Sequence, residues 1–405
     1  MKVSDIRKIS AEQKAGLQAQ GTGLRRTALE ELPDIQSHAL IVSGIRRCGK
    51  STLLHQFVQK LQRPFFYFNY DDIRLHAFSL ADYQLLDQVI AESGCRFLFF
   101  DEIQSARQWE LYIRQKLDEG FQVVLTGSNA SLLSRELGTR LTGRHISKEL
   151  FPFSYEEYCR FTAQEAGVKS LDAYFEKGGF PEYLKTDNFE ILSQLQSDIL
   201  YRDIAVRYGI RDVSSLRQLF VYLVSNAARL VSPSRLTAAA GVKSATTVLE
   251  YFSYFEAAYL VYLAPMFSWS ARAASTAPKK LYIVDPGIIR TGSVSFTGDD
   301  GAMLENFVFN SLRPYTSDIY YFAGKRECDF IVNPHGKKPL CIQVCREPAP
   351  DNEDREIEGL LEALEFFHQD EGIIFTRDTE DFILKAGKKI SVIPVWKYDF
   401  AGICG

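Results

Sequence analysis

The stretch from His38 to Gln56, HALIVSGIRRCGKSTLLHQ, constrains the fold more than any other part of the chain. An apolar run, Leu40 to Val42, leads into a segment bracketed by Gly44 and Gly49, then Lys50, Ser51 and a helix-like spacing of apolar residues. The pattern is G-x-x-x-x-G-K-[ST], which between a strand and a helix forms a phosphate-binding loop. Glycines at both ends let backbone N–H groups curl around phosphate oxygens, and the helix beginning near Lys50 aims its positive end at the same anion. Lys50 adds a point charge and Ser51 a hydroxyl for Mg²⁺. Gly44, Ile45, Arg46, Arg47, Cys48, Gly49, Lys50, Ser51 and Thr52 are therefore the expected cradle.

A bulky apolar strand, Arg96 to Glu102 (RFLFFDE), ends in two carboxylates. Alone it reads as a core strand with a solvated acidic end; with the loop upstream it reads as the second half of a phosphoryl-transfer site. There Asp101 would hold the Mg²⁺ shell, and Glu102 would orient or deprotonate the attacking water, since such chemistry depends on positioning and charge neutralisation. A further strand, Phe121 to Thr126, ends in Gly127, Ser128 and Asn129. Asn129, and after it Ser128, is the candidate to touch the γ-phosphate or the water, against the alternative of an ordinary polar turn. The basic segment that follows offers Arg140 and Arg144 as stabilisers of transition-state charge, in the same chain or from a neighbouring copy, against the alternative of a solvated loop.

At 405 residues, 46% hydrophobic and with net charge −4, the chain has room for two or three globular domains. No early segment has the character of a signal peptide and no apolar run is long enough to span a bilayer, so a cytoplasmic protein without a membrane partner is expected. Seven cysteines and six histidines are dispersed without metal or disulfide spacing, and zinc is not expected. Cys48 lies in the phosphate loop, where Lys50 and the helix terminus would lower its thiol pKa; the alternative is an inert small residue facing away.

Residues before Leu40 read as a helical preface, and residues 40–151 alternate strands with amphipathic stretches, which predicts a mostly parallel sheet. Phe65 to Tyr70 is one of those strands; it ends in Asp71 and Asp72, which either face the nucleotide or, as the commoner case, open the next helix. Leu150 to Phe161 suits a linker helix with Glu156 and Glu157 on a solvated face. From about residue 170 to 270 the pattern turns helical, with Ile210 to Arg229 the clearest amphipathic run. Ser232 to Ala240, a turn at Gly241, Ser244 to Tyr254 and the strand-like Tyr259 to Phe267 give the outline of a winged helix-turn-helix. In a DNA reader Lys243, Ser244, Thr246 and Thr247 would begin the recognition helix. Residues 211–270 carry five basic and three acidic side chains, a weak footprint for nucleic acid, and a lid or protein contact is the alternative.

From Lys279 onward the chain is α/β again, through Leu304 to Leu312, Cys328 to Val332 and Leu340 to Val344. Glu305 followed by Asp329 is the order of carboxylates in PD-(D/E)XK nucleases. That chemistry also needs a carboxylate and a lysine two residues apart on the next strand, where this chain has Gln343, Val344 and Cys345. With 15 basic and 21 acidic side chains, the segment repels phosphate backbones. A nuclease-like fold used for binding or assembly is expected, with an active nuclease using Glu305 and Asp329 as the lesser alternative.

Taken together, IVSGIRRCGKSTL, FLFFDEIQ, VVLTGSNASLLS, ELGTRLTGR and ELFPFSYEEY resemble a family of prokaryotic AAA-type ATPases with a C-terminal domain of unknown function that is similar to a degenerate nuclease. The resemblance continues through LYRDIAVRYGI, KLYIVDPGI, LENFVFNSL and ECDFIV. It implies ATP and Mg²⁺ as cofactors, Gly44, Gly49, Lys50 and Ser51 as Walker A, Asp101 and Glu102 as Walker B, Asn129 as sensor, and Arg140 or Arg144 as arginine finger. The expected fold is α/β: a P-loop NTPase of the AAA/ASCE type with a parallel sheet and helices on both faces (1–165), then a helical and winged-helix region (166–275), then an α/β nuclease-like domain (276–405). The expected function is ATP hydrolysis coupled to a partner, DNA or protein, with a DNA-binding regulator or defence-type factor acting through the winged helix as the alternative. Both a homo-oligomer and a monomer stay open.

Overall fold

The computed structural model describes residues 1–405 except 20, 131–140, 142, 240, 294–299, 337, 348–352 and 405. The chain forms two compact units, residues 1–151 with 257–259, and residues 152–256 with 260–405.

The first unit is built on five strands: β1 (Ala39–Ser43), β2 (Phe65–Asn69), β3 (Phe97–Asp101), β4 (Gln122–Gly127) and β5 (His145–Glu149), in the order β2-β3-β4-β1-β5. Every pairing is parallel, so all five carboxyl ends lie on one edge. Parallel strands are covered on both faces and read as continuous apolar runs, which is how ALIVS, FFYFN and FLFFD are composed. Among the described residues four helices accompany them: α1 (Val3–Ala19), α2 (Lys50–Leu61), α3 (Asp82–Ser93) and α4 (Trp109–Asp118). One sheet face packs Ile41, Phe68, Phe100 and Leu125 against Leu86 of α3 and Ile113 of α4. The other face receives α2, whose Phe57 lies against Phe97.

The helical preface has a structural task that its sequence did not disclose. From α1, Ser10 donates to the carbonyl of Tyr67 (3.2 Å), Gln13 to that of Asn69 (2.9 Å) and Lys14 to that of Phe65 (2.7 Å). These are alternate carbonyls along the outer edge of β2, so α1 satisfies a row of backbone acceptors that an open sheet edge leaves unpaired. At the other edge β5 has the sequence HISKE and is half-buried throughout, which explains why no apolar pattern announced it.

The second unit begins with α5 (Tyr155–Thr162), α6 (Val168–Lys177), α7 (Pro181–Thr186) and α8 (Phe189–Asp198), then a π-helical segment, Ile199–Val206. Glu157 is not on a solvated face: it is buried and closes a capping box with Ser154 at the start of α5, a Ser-x-x-Glu signature legible in SYEE. Next come α9 (Val213–Val224), β6 (Leu230–Val231), α10 (Pro233–Ala239), α11 (Ala245–Ala257), β7 (Val261–Ala264), α12 (Ala271–Thr276) and β8 (Lys279–Ile283). The three strands form an antiparallel sheet, β6-β8-β7.

After α13 (Pro286–Gly292) and α14 (Asp300–Leu312) come β9 (Ile319–Ala323), β10 (Glu327–Val332), β11 (Leu340–Val344), α15 (Glu353–Phe366), β12 (Glu371–Thr376), β13 (Asp381–Lys385) and β14 (Lys388–Pro394). Their sheet runs β13-β14-β12-β11-β10-β9, parallel across β11, β12 and β14 and antiparallel elsewhere. No break in packing falls at residue 275: a single core joins Tyr158 and Tyr174 of the helices, Tyr282 of β8, Phe307 of α14, Phe330 of β10 and Phe375 of β12. Tyr282 stacks on Phe309 with ring centroids 4.1 Å apart.

Candidate nucleotide-binding site

The loop from Gly44 to Gly49 joins β1 to α2 at the carboxyl edge of the parallel sheet, beside the ends of β3 and β4. Gly44 has φ of 149°, and a Cβ there would lie 2.1 Å from the carbonyl oxygen of Leu150. Gly49, with φ of 101°, delivers the chain into α2. Glycine is needed at both positions, as the motif spacing predicts. Ile45 is buried, Arg46 half-buried, and Arg47 exposed with φ of 63°; Ser51 and Thr52 are half-buried in the first turn of α2. Arg26, a buried residue of the preface, braces the loop from outside: its guanidinium donates to the carbonyls of Cys48 and Phe151, each at 2.8 Å. Cys48 donates its thiol to the Leu150 carbonyl at 3.3 Å, and burial pushes that thiol up. Burial and this hydrogen bond favour the inert reading of Cys48.

Lys50 reaches back over the loop and donates to the carbonyls of Gly44 and Ile45, both at 3.0 Å. Ser51 donates to Asp101 Oδ2 at 2.7 Å, so the two residues expected to share a cation are already adjacent. Asp101 also receives Tyr67 Oη at 2.9 Å and the hydroxyl of Thr126. The Thr126 oxygen in turn accepts from the backbone N–H of Glu102 at 3.1 Å, which fixes the carboxylate pair to the end of β4.

Glu102 sits in a left-handed conformation, φ 50°, just past β3. Its carboxylate accepts from Gln104 and from Ser128 Oγ (3.2 Å), and lies 3.9 Å from Lys50 Nζ. Burial opposes ionisation of both carboxyls. For Asp101 burial and the neighbouring Glu102 charge win and the pKa is raised. For Glu102 burial is outweighed by Lys50, Gln104, Arg46 and Ser128 together, and its pKa is lowered. The two neighbouring carboxyls are thus pushed in opposite directions, Asp101 upward and Glu102 downward. Gln104 Oε1 is buried and has no hydrogen-bond partner among the described residues.

Of the other candidates, Asn129 is buried beside Ser128 at the end of β4, and Ser128 is the residue whose hydroxyl meets Glu102. Arg144 is not brought to this site within one chain. Its carbonyl accepts from Ala39 at the amino end of β1, and its guanidinium pairs with Asp118 at 2.7 Å. The five-residue strand separates that end from the loop by roughly 15 Å. A loop ahead of a strand that runs parallel to β1 has to return to the amino edge, and this carries Arg144 away. Arg140 lies outside the described residues. Asp72 takes the helix-opening role, capping a short 3₁₀ turn and pairing with Arg74 at 2.7 Å.

Tyr67, Thr126, Gln104 and Arg26 went unnoticed in the sequence. Tyr67 and Thr126 are hydroxyls in otherwise apolar strands on either side of β3, a position that only the strand order makes meaningful. Tyr67→Phe removes one of three donors to a buried carboxylate and is expected to weaken Mg²⁺-dependent nucleotide binding by about 1 kcal/mol, roughly fivefold, while leaving Mg²⁺-free binding unchanged. Titration of a fluorescent nucleotide with and without Mg²⁺ measures both; an equal loss in the two conditions would assign Tyr67 to general stability instead.

Residues 36–159 match a family model described as an AAA domain, and residues 168–295 match one described as a domain of unknown function, DUF8612. An uncharacterized protein of Methanocaldococcus jannaschii is 32% identical over 91% of this chain and 89% of its own length. An uncharacterized protein of Haemophilus influenzae is 30% identical over 86% of this chain and 88% of its own. Among solved structures, AMPPCP-bound DnaA from Aquifex aeolicus aligns with 59% of this chain and 90% of that one at 17% identity and a TM-score of 0.28. The Thermotoga maritima RuvB Holliday junction branch migration motor aligns with 64% and 88% at 16% identity and a TM-score of 0.29. The chain belongs to the family that includes the two uncharacterized relatives, and joins an AAA domain of P-loop fold to a DUF8612 domain.

Proposed function

We propose that this member of the family is a Mg²⁺-dependent ATPase that couples its nucleotide state to a partner bound by its C-terminal unit. The observation that carries the reading is the placement of Ser51 2.7 Å from Asp101, with Lys50 and Glu102 3.9 Å apart at the mouth of a loop that tolerates only glycine at residue 44. The residues fit the missing groups. Backbone N–H groups of the loop and Lys50, released from the Gly44 and Ile45 carbonyls, would hold the phosphates. Ser51 and Asp101 would hold Mg²⁺, whose contribution is neutralisation of phosphate charge. Glu102, kept ionised and steered by Ser128 and Gln104, orients and deprotonates water. Asn129 serves as a further sensor of the phosphate. Arg140, or Arg144 supplied by a neighbouring copy in a homo-oligomer, completes the site with a positive charge.

The order α9, β6, α10, α11, β7, α12, β8, with the strands arranged β6-β8-β7, supports a winged-helix reading of residues 213–283. Lys243, Ser244 and Thr246 are exposed at the start of α11, where a recognition helix meets bases, which favours DNA as one partner class. The three-part division at residues 165 and 275 remains our proposal for the evolutionary modules. The last of these is nuclease-like in layout and lacks nuclease activity. Among the described residues no helix is long and apolar enough to cross a membrane, which is compatible with the cytoplasmic location we assign.

Steady-state ATP hydrolysis, with Lys50→Ala as control and with single- or double-stranded DNA added, tests the proposal. Stimulation by DNA that is lost in Lys243→Ala supports the DNA arm; basal turnover indifferent to DNA supports a protein partner. ATP neither bound nor hydrolysed, with the parent indistinguishable from Lys50→Ala, overturns the ATPase reading.

A further inference from the structure

Three carboxylates of the C-terminal unit converge on one point, and a lysine already stands there. Lys280 of β8 places its ammonium 2.7 Å from Asp329 Oδ1, 2.7 Å from Glu327 Oε1 and 2.9 Å from Glu305 Oε1. Its side chain is 4% exposed. An ammonium has three N–H donors, and here each has an anionic or acidic acceptor. Two of the three carboxylates have a further donor, and Gln343 holds the backbone beside them. Asp329 Oδ2 accepts from the backbone of Val344 at 2.9 Å, Glu305 Oε1 also accepts from Tyr282 at 2.7 Å, and Gln343 Oε1 accepts from the backbone of Asp329 at 3.2 Å.

Cys345 stands where the expected pattern has its lysine, so Glu305 and Asp329 were expected without one. In the fold the lysine arrives from a strand of the other sheet. We infer that Lys280 is the resident cation of this cluster: its ammonium fills the position that a divalent ion would need, so the module is metal-independent, and it pins β8 to β10 and α14 in place of a metal. A hard divalent ion needs several oxygen ligands, at 2.3–2.6 Å for Ca²⁺, and water to complete its shell. Such an ion cannot share this space with a buried ammonium whose contacts stand at 2.7–2.9 Å. Without the ammonium the same oxygens need to contract only a few tenths of an ångström to become ligands for Ca²⁺. This holds whether or not the first unit hydrolyses ATP.

The test is Lys280→Met in the full chain, nucleotide-free, with Ca²⁺ as the probe, followed by isothermal calorimetry and by thermal unfolding in Ca²⁺ and in EDTA. The variant is expected to gain one bound Ca²⁺ per chain over the parent and to unfold at a higher temperature in Ca²⁺ than in EDTA; adding Asp329→Asn is expected to remove both gains. If Lys280→Met is recovered only as aggregate, Lys280→Met with Glu305→Gln carries the test, because it removes a buried acid together with the ammonium and keeps Glu327 and Asp329 as ligands. A folded variant of either kind that gains no Ca²⁺ overturns the assignment. So does Ca²⁺ binding by the parent that Asp329→Asn abolishes, or Mn²⁺-dependent plasmid cleavage by the parent that Asp329→Ala abolishes.

Discussion

Glu102→Gln is expected to bind ATP within about threefold of the parent and to hydrolyse it roughly 10²- to 10⁴-fold more slowly, the usual contribution of a positioned general base. The substitution preserves shape. Glutamine at this position still accepts from Ser128 and Gln104, and the left-handed backbone at residue 102 is as accessible to it as to glutamate. What it loses is the anion that Lys50 and Arg46 help to keep deprotonated against burial. Lys50→Ala is expected to act earlier, on binding, because it removes the charge proposed to face the phosphates. Phosphate release and fluorescent-nucleotide titration on the two variants separate these roles. A Glu102→Gln enzyme that keeps most of its turnover would remove Glu102 from the chemistry.

The parts of this site that were legible in the sequence are those in which chemistry and local structure coincide. A glycine-bracketed loop has to sit between a strand and a helix to work, so GIRRCGKS carries its own structural context, and RFLFFDE likewise places its carboxylates at a strand end. The supporting groups were hidden because they act through topology. Tyr67 and Thr126 reach Asp101 only because β2 and β4 flank β3, an order that strand spacing does not reveal. The same limit governs Arg144, whose distance from the loop follows from β5 pairing in parallel with β1, and β5 itself was invisible because a half-buried edge strand has no apolar pattern. In the C-terminal unit Glu305 and Asp329 were found from their order on successive elements. Their partner Lys280 was missed because it lies on a strand of a different sheet, 49 residues before Asp329. Residues whose role a local motif fixes were thus legible in the chain, and those whose role only strand pairing fixes were not.

Asp285 should make the stability of the C-terminal unit fall with rising pH between about 4 and 7. This carboxyl caps α13, accepting from Gly287 at 2.8 Å, and reaches across to the backbone N–H of Gly179 at 2.7 Å. It thereby fixes the Gly178–Gly179 turn, where a Cβ at residue 178 would lie 2.0 Å from Asp285 Oδ1. Burial raises its pKa to about 7, against the N–H donors that favour the anion. The folded protein then holds a proton that the unfolded chain, with a carboxyl near 4, has released. Below pH 4 both states are protonated and the group contributes no slope. Between pH 4 and 7 the folded state loses about 1.4 kcal/mol per pH unit from this group, levelling off above its folded pKa. Asp285→Asn cannot titrate, and its amide N–H₂ confronts one of the two backbone donors, at a cost of about 1–3 kcal/mol. The variant should therefore be less stable than the parent at pH 4, with the gap closing or reversing by pH 8. Urea unfolding of both proteins across this range isolates the group, since every other titration is common to the two. A gap that widens with pH would show that the backbone donors outweigh burial and that Asp285 is an anion throughout, with a folded pKa below the unfolded one.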